Sequence, residues 1–294
     1  MQVEHAVIIA TKNRINLLKR SIQSVYDQDV ETWRLIIVND GSEDETREYL
    51  DRLRESDSRV IIIHSEVSRG MQASQNKGFD HVESHEYVSL LDDDDYFLPG
   101  AFKKMSEKIV EDSGEHRIIF FNTNRVTQEG IFEQGIAFKE CETWFDPTYY
   151  EVVTKAGLTG DCHMVIHGSL VTGPNAYRYS EDINGFPYEL LIKFARDRVG
   201  IRYFNVVVKN MDRLSTTGHL SSYGSRKSAP FVSAYVRIFR EHRQFFLQHP
   251  DAYMRHALRA TKVALRAHMP LYALWFGGRY VESSLRCVVF KDGK

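Results

Sequence analysis

Short apolar runs alternating with helical stripes constrain this chain more than any other feature. Ala6-Val7-Ile8-Ile9-Ala10, Arg34-Leu35-Ile36-Ile37-Val38-Asn39, Val60-Ile61-Ile62-Ile63 and Tyr87-Val88-Ser89-Leu90-Leu91 are short and almost wholly apolar. Runs of this kind are strands buried on both faces, as in parallel sheets. Between them apolar residues recur at helical spacing. Leu18, Ile22 and Val25 follow a cap at Asn16, and Leu50 and Leu53 follow Ser42 with the acidic first turn Glu43, Asp44, Glu45. Residues 71–80 read as a third helix, and Pro99 fits the first position of a fourth. Ile118-Ile119-Phe120-Phe121 adds a fifth strand. The alternation predicts an α/β fold with a mostly parallel sheet covered by helices on both faces. Residues 124–180 read as short strands and loops, 186–198 as a helix, and the chain from Pro230 onward as helical.

In an open α/β sheet, ligands bind beyond the carboxyl ends of the strands. Here those ends are polar. The first strand runs into Thr11-Lys12-Asn13-Arg14, the second into Asn39-Asp40-Gly41-Ser42, and the fourth into Asp92-Asp93-Asp94-Asp95. Four consecutive carboxylates repel one another unless a cation relieves them. Hard oxygen ligands suit Mg²⁺ or Mn²⁺, which bind through one or two carboxylates and substrate phosphates. An isolated acidic run is more often a solvated turn before a helix. Its position beside two other polar strand ends favours a ligand set. Asn39-Asp40-Gly41-Ser42 is also a standard turn, and Gly70 and Gly78 also fit caps or turns.

In order and spacing, these segments resemble the inverting glycosyltransferases of family 2. The match runs through Val7 to Arg14, Ile37 to Ser42, Gly70 with Asn76-Lys77-Gly78, and Leu91 to Asp95 with Pro99, within the first 110 or so residues. The resemblance implies the GT-A fold, a Rossmann-like sheet, here with a helical C-terminal extension. It implies a catalytic domain over residues 1–225, split into a nucleotide-sugar half (1–122) and an acceptor half (123–225), followed by a basic helical region over 226–294. Thr11, Asn13, Arg14, Asp40, Gly70, Asn76, Asp92 and Asp93 are expected at the sugar nucleotide. Asp92 and Asp94 match the D-x-D motif, with Asp94 as the principal metal ligand and Mn²⁺ or Mg²⁺ as the cofactor. The family's Arg ahead of Asn76 is replaced by Gln75.

An inverting displacement needs one carboxylate as general base. Family members carry a Glu-Asp pair roughly 90 residues past the D-x-D. Glu181-Asp182 fits, with Asp182 expected as the base and Glu181 beside it. Many members place the pair directly ahead of a helix, a slot held here by Phe186-Pro187, so Glu189 inside the helix is the rival. The pair also reads as an exposed acidic turn before Asn184-Gly185. His219, in Thr217-Gly218-His219-Leu220-Ser221, lies where relatives close a loop over the diphosphate, although a lone His in such a loop is more often merely exposed.

Charge is distributed unevenly. Residues 1–225 hold 25 Lys/Arg and 36 Asp/Glu, whereas residues 226–294 hold 13 and 4, a surplus of +9. Arg255, Arg259, Lys262 and Arg266 form one helical stripe ahead of the cluster Leu271-Tyr272-Ala273-Leu274-Trp275-Phe276. The tail reads as an interfacial segment facing anionic lipid, as a hairpin packed on the acidic body, or as a homo-oligomer contact. The acidic body and the lack of a binding motif argue against nucleic acid. Three scattered cysteines, an N-terminus without signal-peptide character and no long apolar run point to a cytoplasmic enzyme, and the resemblance with the basic tail places it as peripheral at the inner face of the membrane. The expected donor is a UDP-, dTDP- or GDP-sugar, and the acceptor a glycan or lipid-linked glycan for a cell-surface polysaccharide or lipopolysaccharide. Two other functions fit the sequence less well. A nucleotidyltransferase lacks its Gly-rich triphosphate loop, and a catalytically inactive sugar-nucleotide-binding module would not need the Asp92/Asp94 pair.

Overall fold

The computed structural model describes residues 3–136, 158–159, 162–181, 189–213 and 229–291. Its strands and helices alternate as β1 (His5–Thr11), α1 (Ile15–Tyr26), β2 (Trp33–Asp40), α2 (Thr46–Ser56), β3 (Val60–Ser65), α3 (Met71–Phe79), β4 (Tyr87–Leu90), β5 (Tyr96–Phe97) and α4 (Ala101–Glu111). They continue through β6 (Ile118–Thr127), β7 (Gly130–Ile136), β8 (Leu158–Thr159), β9 (His163–His167), α5 (Glu189–Arg196) and β10 (Ile201–Asp212). Four helices follow: α6 (Ala229–Glu241), α7 (Arg243–Gln248), α8 (Pro250–Arg266) and α9 (Pro270–Lys291). The chain divides into two compact units, one of residues Met1–Glu181 and Lys193–Ser215, the other of Asp182–Ile192 and Thr216–Lys294. The boundary expected at residues 225/226 lies outside the described residues.

In the first unit the strand order is β3-β2-β1-β4-β9-β6-β10-β5. The first four strands are parallel, as the doubly buried runs predict. Beyond β4 the sheet is mixed: β9 is antiparallel to both β4 and β6, β10 is parallel to β6, and β5 is antiparallel to β10. Val7, Ile9, Leu35 and Ile37 share one apolar core with Leu18, Ile22 and Val25 of α1, Leu50 of α2 and Phe102 and Met105 of α4. Ile8 lies against α3, where a Cβ built on Gly78 would stand 2.5 Å from Ile8 Cγ2. Gly78 is therefore a packing residue inside a helix, whereas Gly70 caps α3 with φ +91°, a conformation that glycine adopts freely. Gly78→Ala is expected to overpack this contact. It should destabilise the fold by about 1–3 kcal/mol despite alanine's better helix propensity, as read by urea unfolding.

Three expected helix starts are displaced. Asn16 lies inside α1, which begins at Ile15. Helix α2 begins at Thr46, not just after Ser42, and the Asp44 carboxylate receives the Thr46 N–H at 3.1 Å. Helix α4 begins at Ala101, two residues past Pro99. At Ser42 the reason is clear: its hydroxyl accepts the Asn13 N–H at 2.9 Å and so joins two loops of the rim instead of capping a helix.

The second unit packs around Tyr235, Phe239, Phe246, Tyr253 and Phe276, with Phe239 in ring contact with the other four. Small buried residues Ala257, Ala260 and Ala264 line one face of α8 and let α9 approach closely. A three-residue connection makes α8 and α9 a hairpin. None of the described helices is long and apolar enough to cross a membrane.

Candidate active site

The ends of β1, β2 and β4 are adjacent because the three strands pair in parallel. The chain leaves β4 through Asp92–Asp95 and then pairs Tyr96 and Phe97 with Asn210 and Lys209 of β10. The aspartate turn is thus anchored at both ends by the sheet. It is also held from α1. The Ser21 hydroxyl lies 2.9 Å from the Asp93 carbonyl and 2.5 Å from that of Asp95, and Arg20 Nη2 donates to the Asp94 carbonyl at 2.6 Å.

The side chains of β1 and its loop meet those of the turn. Thr11 Oγ1 donates to Asp93 Oδ2 at 2.8 Å. Arg14 spans two aspartates, from Nη1 to Asp93 Oδ1 at 2.5 Å and from Nη2 to Asp94 Oδ2 at 3.1 Å. Asp95, fully buried, accepts from Lys209 Nζ at 2.8 Å, while its Oδ1 has no hydrogen-bond partner among the described residues. Asp92 is different: its side chain reaches solvent and its carboxylate accepts no hydrogen bond among the described residues.

The charges are not balanced. Burial pushes Asp93 up to about 6, against the pull of Arg14 and Thr11. Although Asp92 is exposed at the surface of the turn, the protein mass around it and repulsion from Asp95, Asp94 and Asp93 push it upward too, with Lys209 opposing. Among the described residues, the aspartate turn holds more carboxylates than cations, and the Asp92 carboxylate accepts no hydrogen bond there. This fits a divalent cation held by Asp92 and Asp94 with a diphosphate completing its shell, rather than an all-protein cage.

Asp40 organises the neighbouring loop. Its carboxylate accepts from the Ser68 hydroxyl at 2.7 Å, the Arg69 N–H at 2.9 Å and the Gly70 N–H at 2.8 Å. Burial pushes Asp40 up, but these bonds outweigh it and hold the group below its usual range. Asn13, with φ +55°, receives the Glu43 N–H on Oδ1 at 2.7 Å. Asn76 uses both ends of its amide on the Tyr179 backbone, at 2.9 Å each, which fixes the segment leading to Glu181. Glu181 is partly exposed and its Oε2 pairs with Arg69 Nη2 at 2.8 Å. Glu189, in the second unit, is fully buried beside the buried His242 and the exposed Glu241, their potential ligand atoms within 4.8 Å of one another. Asp182 and His219 lie outside the described residues.

The structure therefore joins Thr11, Arg14, Asp92, Asp93 and Asp94 in one cluster, with Asp40, Gly70, Asn13 and Asn76 shaping loops around that rim. Sequence reasoning missed Arg20, Ser21, Lys209 and Asp212. Arg20 pairs with Asp212 at 2.6 Å and lies over the Tyr96 ring at 4.6 Å. A signal for Lys209 and Asp212 was present: residues 201–212 are rich in β-branched and aromatic side chains.

Residues 6–164 match the family described as glycosyl transferase family 2. A Campylobacter jejuni protein named GalNAc(5)-diNAcBac-PP-undecaprenol beta-1,3-glucosyltransferase is 34% identical over 194 residues, covering 66% of this chain and 60% of its own. Glycosyltransferase GlyA of Streptococcus pneumoniae is 31% identical over 105 residues, covering 36% of this chain and 15% of its own. The chain thus spans less than two thirds of the length of these relatives. Crystal structures of S. aureus TarS 1-349 with UDP-GlcNAc and with UDP give TM-scores of 0.61 and 0.60 at 13% and 14% identity, covering 96% of this chain and 89% of TarS. At that identity the likeness is one of fold.

Proposed function

The chain belongs to glycosyl transferase family 2, and on that premise we propose that it is an inverting, metal-dependent glycosyltransferase moving a sugar from a sugar nucleotide to a glycan acceptor. One observation carries the reading: Arg14 bridges Asp93 and Asp94 while Asp92 stays open at the rim where β1, β2 and β4 end. Mn²⁺ or Mg²⁺ on Asp92 and Asp94 would neutralise charge growing on the leaving diphosphate. Residues 1–122 form the donor half and 123–225 the acceptor half, with 226–294 as an appended region.

Thr11, Asn13, Arg14, Asp40, Gly70 and Asn76 bind or shape the nucleotide site, with Asp93 held beneath it. Arg14 offers the diphosphate a fixed positive charge, and His219 donates to a phosphate oxygen. Asp182 takes the proton of the acceptor hydroxyl as that oxygen bonds to the anomeric carbon and the bond to the diphosphate oxygen breaks. Attack from the side opposite the leaving group inverts the centre. The acceptor is a glycan of a surface polysaccharide, carried on a lipid at the cytoplasmic side of a membrane, by analogy with the undecaprenol-linked substrate in the name of the Campylobacter relative.

UDP-, dTDP- and GDP-sugars are to be screened by thermal unfolding with and without Mn²⁺, UDP-GlcNAc first because a TarS structure holds it. At 100 times its dissociation constant a donor stabilises by about 2.7 kcal/mol, or roughly 5 °C or more for a domain of this size. A Mn²⁺-dependent shift with one nucleotide class is expected. No shift with any class overturns the donor reading.

A further inference from the structure

The second unit exposes apolar side chains at one end of a helical hairpin. Helix α8 ends at Arg266 and α9 starts at Pro270, with His268 at φ +55° and the Met269 N–H closing back on the Ala264 carbonyl at 2.9 Å. The reversal is thus a hydrogen-bonded helix end, not a loose loop. Around it stand Leu265 (59% exposed), Leu271 (79%), Tyr272 (42%) and Leu274 (73%). Leu271 and Leu274 expose nearly as much surface as they would in an unfolded chain, which a folded unit seldom tolerates in neighbours so close together.

The helix leading to this tip is basic on its outer side. Tyr253, His256, Ala257, Ala260 and Ala264 are buried and set the inner face of α8. Arg255, Arg259, Lys262 and Arg266 are exposed on the opposite face. Lys262 and Arg266 lie within about 6 Å of the end of α8, and Arg255 and Arg259 one to two turns further back. An apolar end with cations in the adjoining turns matches the layering of a bilayer surface, where acyl chains lie beneath anionic headgroups. A two-fold pair of this chain through the same face would set one basic stripe against another.

We propose that the α8–α9 hairpin is a docking surface for an anionic lipid bilayer. Leu265, Leu271, Tyr272 and Leu274 enter the headgroup layer, while Lys262 and Arg266, then Arg259 and Arg255, meet its negative charge. The surface is independent of sugar transfer, and so is its test, which contains no sugar nucleotide.

The full chain is floated with vesicles of phosphatidylcholine alone or with phosphatidylglycerol added. It is expected to bind the anionic vesicles selectively and to be weakened by salt between about 0.05 and 0.5 M. Reversing Arg255, Arg259, Lys262 and Arg266 to Glu should lower partitioning about 100-fold or more, and Lys262→Glu alone about fivefold. Leu271→Ser with Leu274→Ser should cost about tenfold or more. All these side chains are exposed, so the variants should melt as the parent does. Absent binding, equal binding to both vesicles, or binding unchanged in every variant overturns the proposal. So does self-association in sedimentation velocity that the leucine substitutions abolish in place of vesicle binding.

Discussion

Asp94→Ala is expected to lower sugar transfer about 10³-fold and to leave the protein folded. The side chain is buried at the rim and accepts from Arg14 at 3.1 Å, so its loss removes one anion from a cluster already short of positive charge. Arg14 keeps its 2.5 Å bond to Asp93, and the Asp94 carbonyl keeps Arg20, so the turn retains its shape. Under the proposed function the same substitution also removes a ligand for the cation that would offset charge on the departing diphosphate. Release of nucleoside diphosphate across a Mn²⁺ titration separates the two effects. The variant should show little turnover at any Mn²⁺ concentration, with a melting temperature close to the parent's. Asp92→Asn should fall similarly, because Asp92 is the open carboxylate of the set. Undiminished turnover with an unchanged Mn²⁺ requirement in Asp94→Ala would move the metal away from this residue.

Strands β1 to β4 were legible in the sequence because they are buried on both faces. Such strands are continuous apolar runs, and the polar residues that end them stand out at once. Asp40, Arg14 and the aspartate run were visible for that reason. The region beyond β6 was harder. Strand β10 runs over twelve residues, but its register against β6 shifts twice between Phe204 and Lys209, so no clean alternation survives. That hid Lys209, the buried partner of Asp95, and Asp212, the partner of Arg20. Helix starts were misread where polar residues serve the rim instead of a cap, as Ser42 does for Asn13. Periodicity does not reveal whether a hydroxyl turns toward its own helix or toward a neighbouring loop.

The same limit applies to the general base, where three carboxylates lie within nine residues and the structure treats two of them differently. Glu181 is exposed and pairs through Oε2 with the exposed Arg69, an ion pair that stabilises its ionised form only weakly. Glu189 is fully buried beside His242, out of reach of a hydroxyl arriving from solvent. Asp182, which lies outside the described residues, is the base under the proposed function. Asp182→Asn should lower kcat by roughly 10²-fold or more, the scale of general-base catalysis, with donor affinity almost unchanged. Glu181→Gln should change kcat by a few-fold at most. Glu189→Gln should act on the fold, because it alters a buried polar cluster. Its melting temperature should drop, and the remaining folded enzyme should keep its rate. Thermal unfolding, donor binding and single-turnover transfer on the three variants distinguish these outcomes. A loss of rate in Glu189→Gln at unchanged stability, with Asp182→Asn active, would instead assign the proton to Glu189 and require that helix α5 open its buried end to the acceptor.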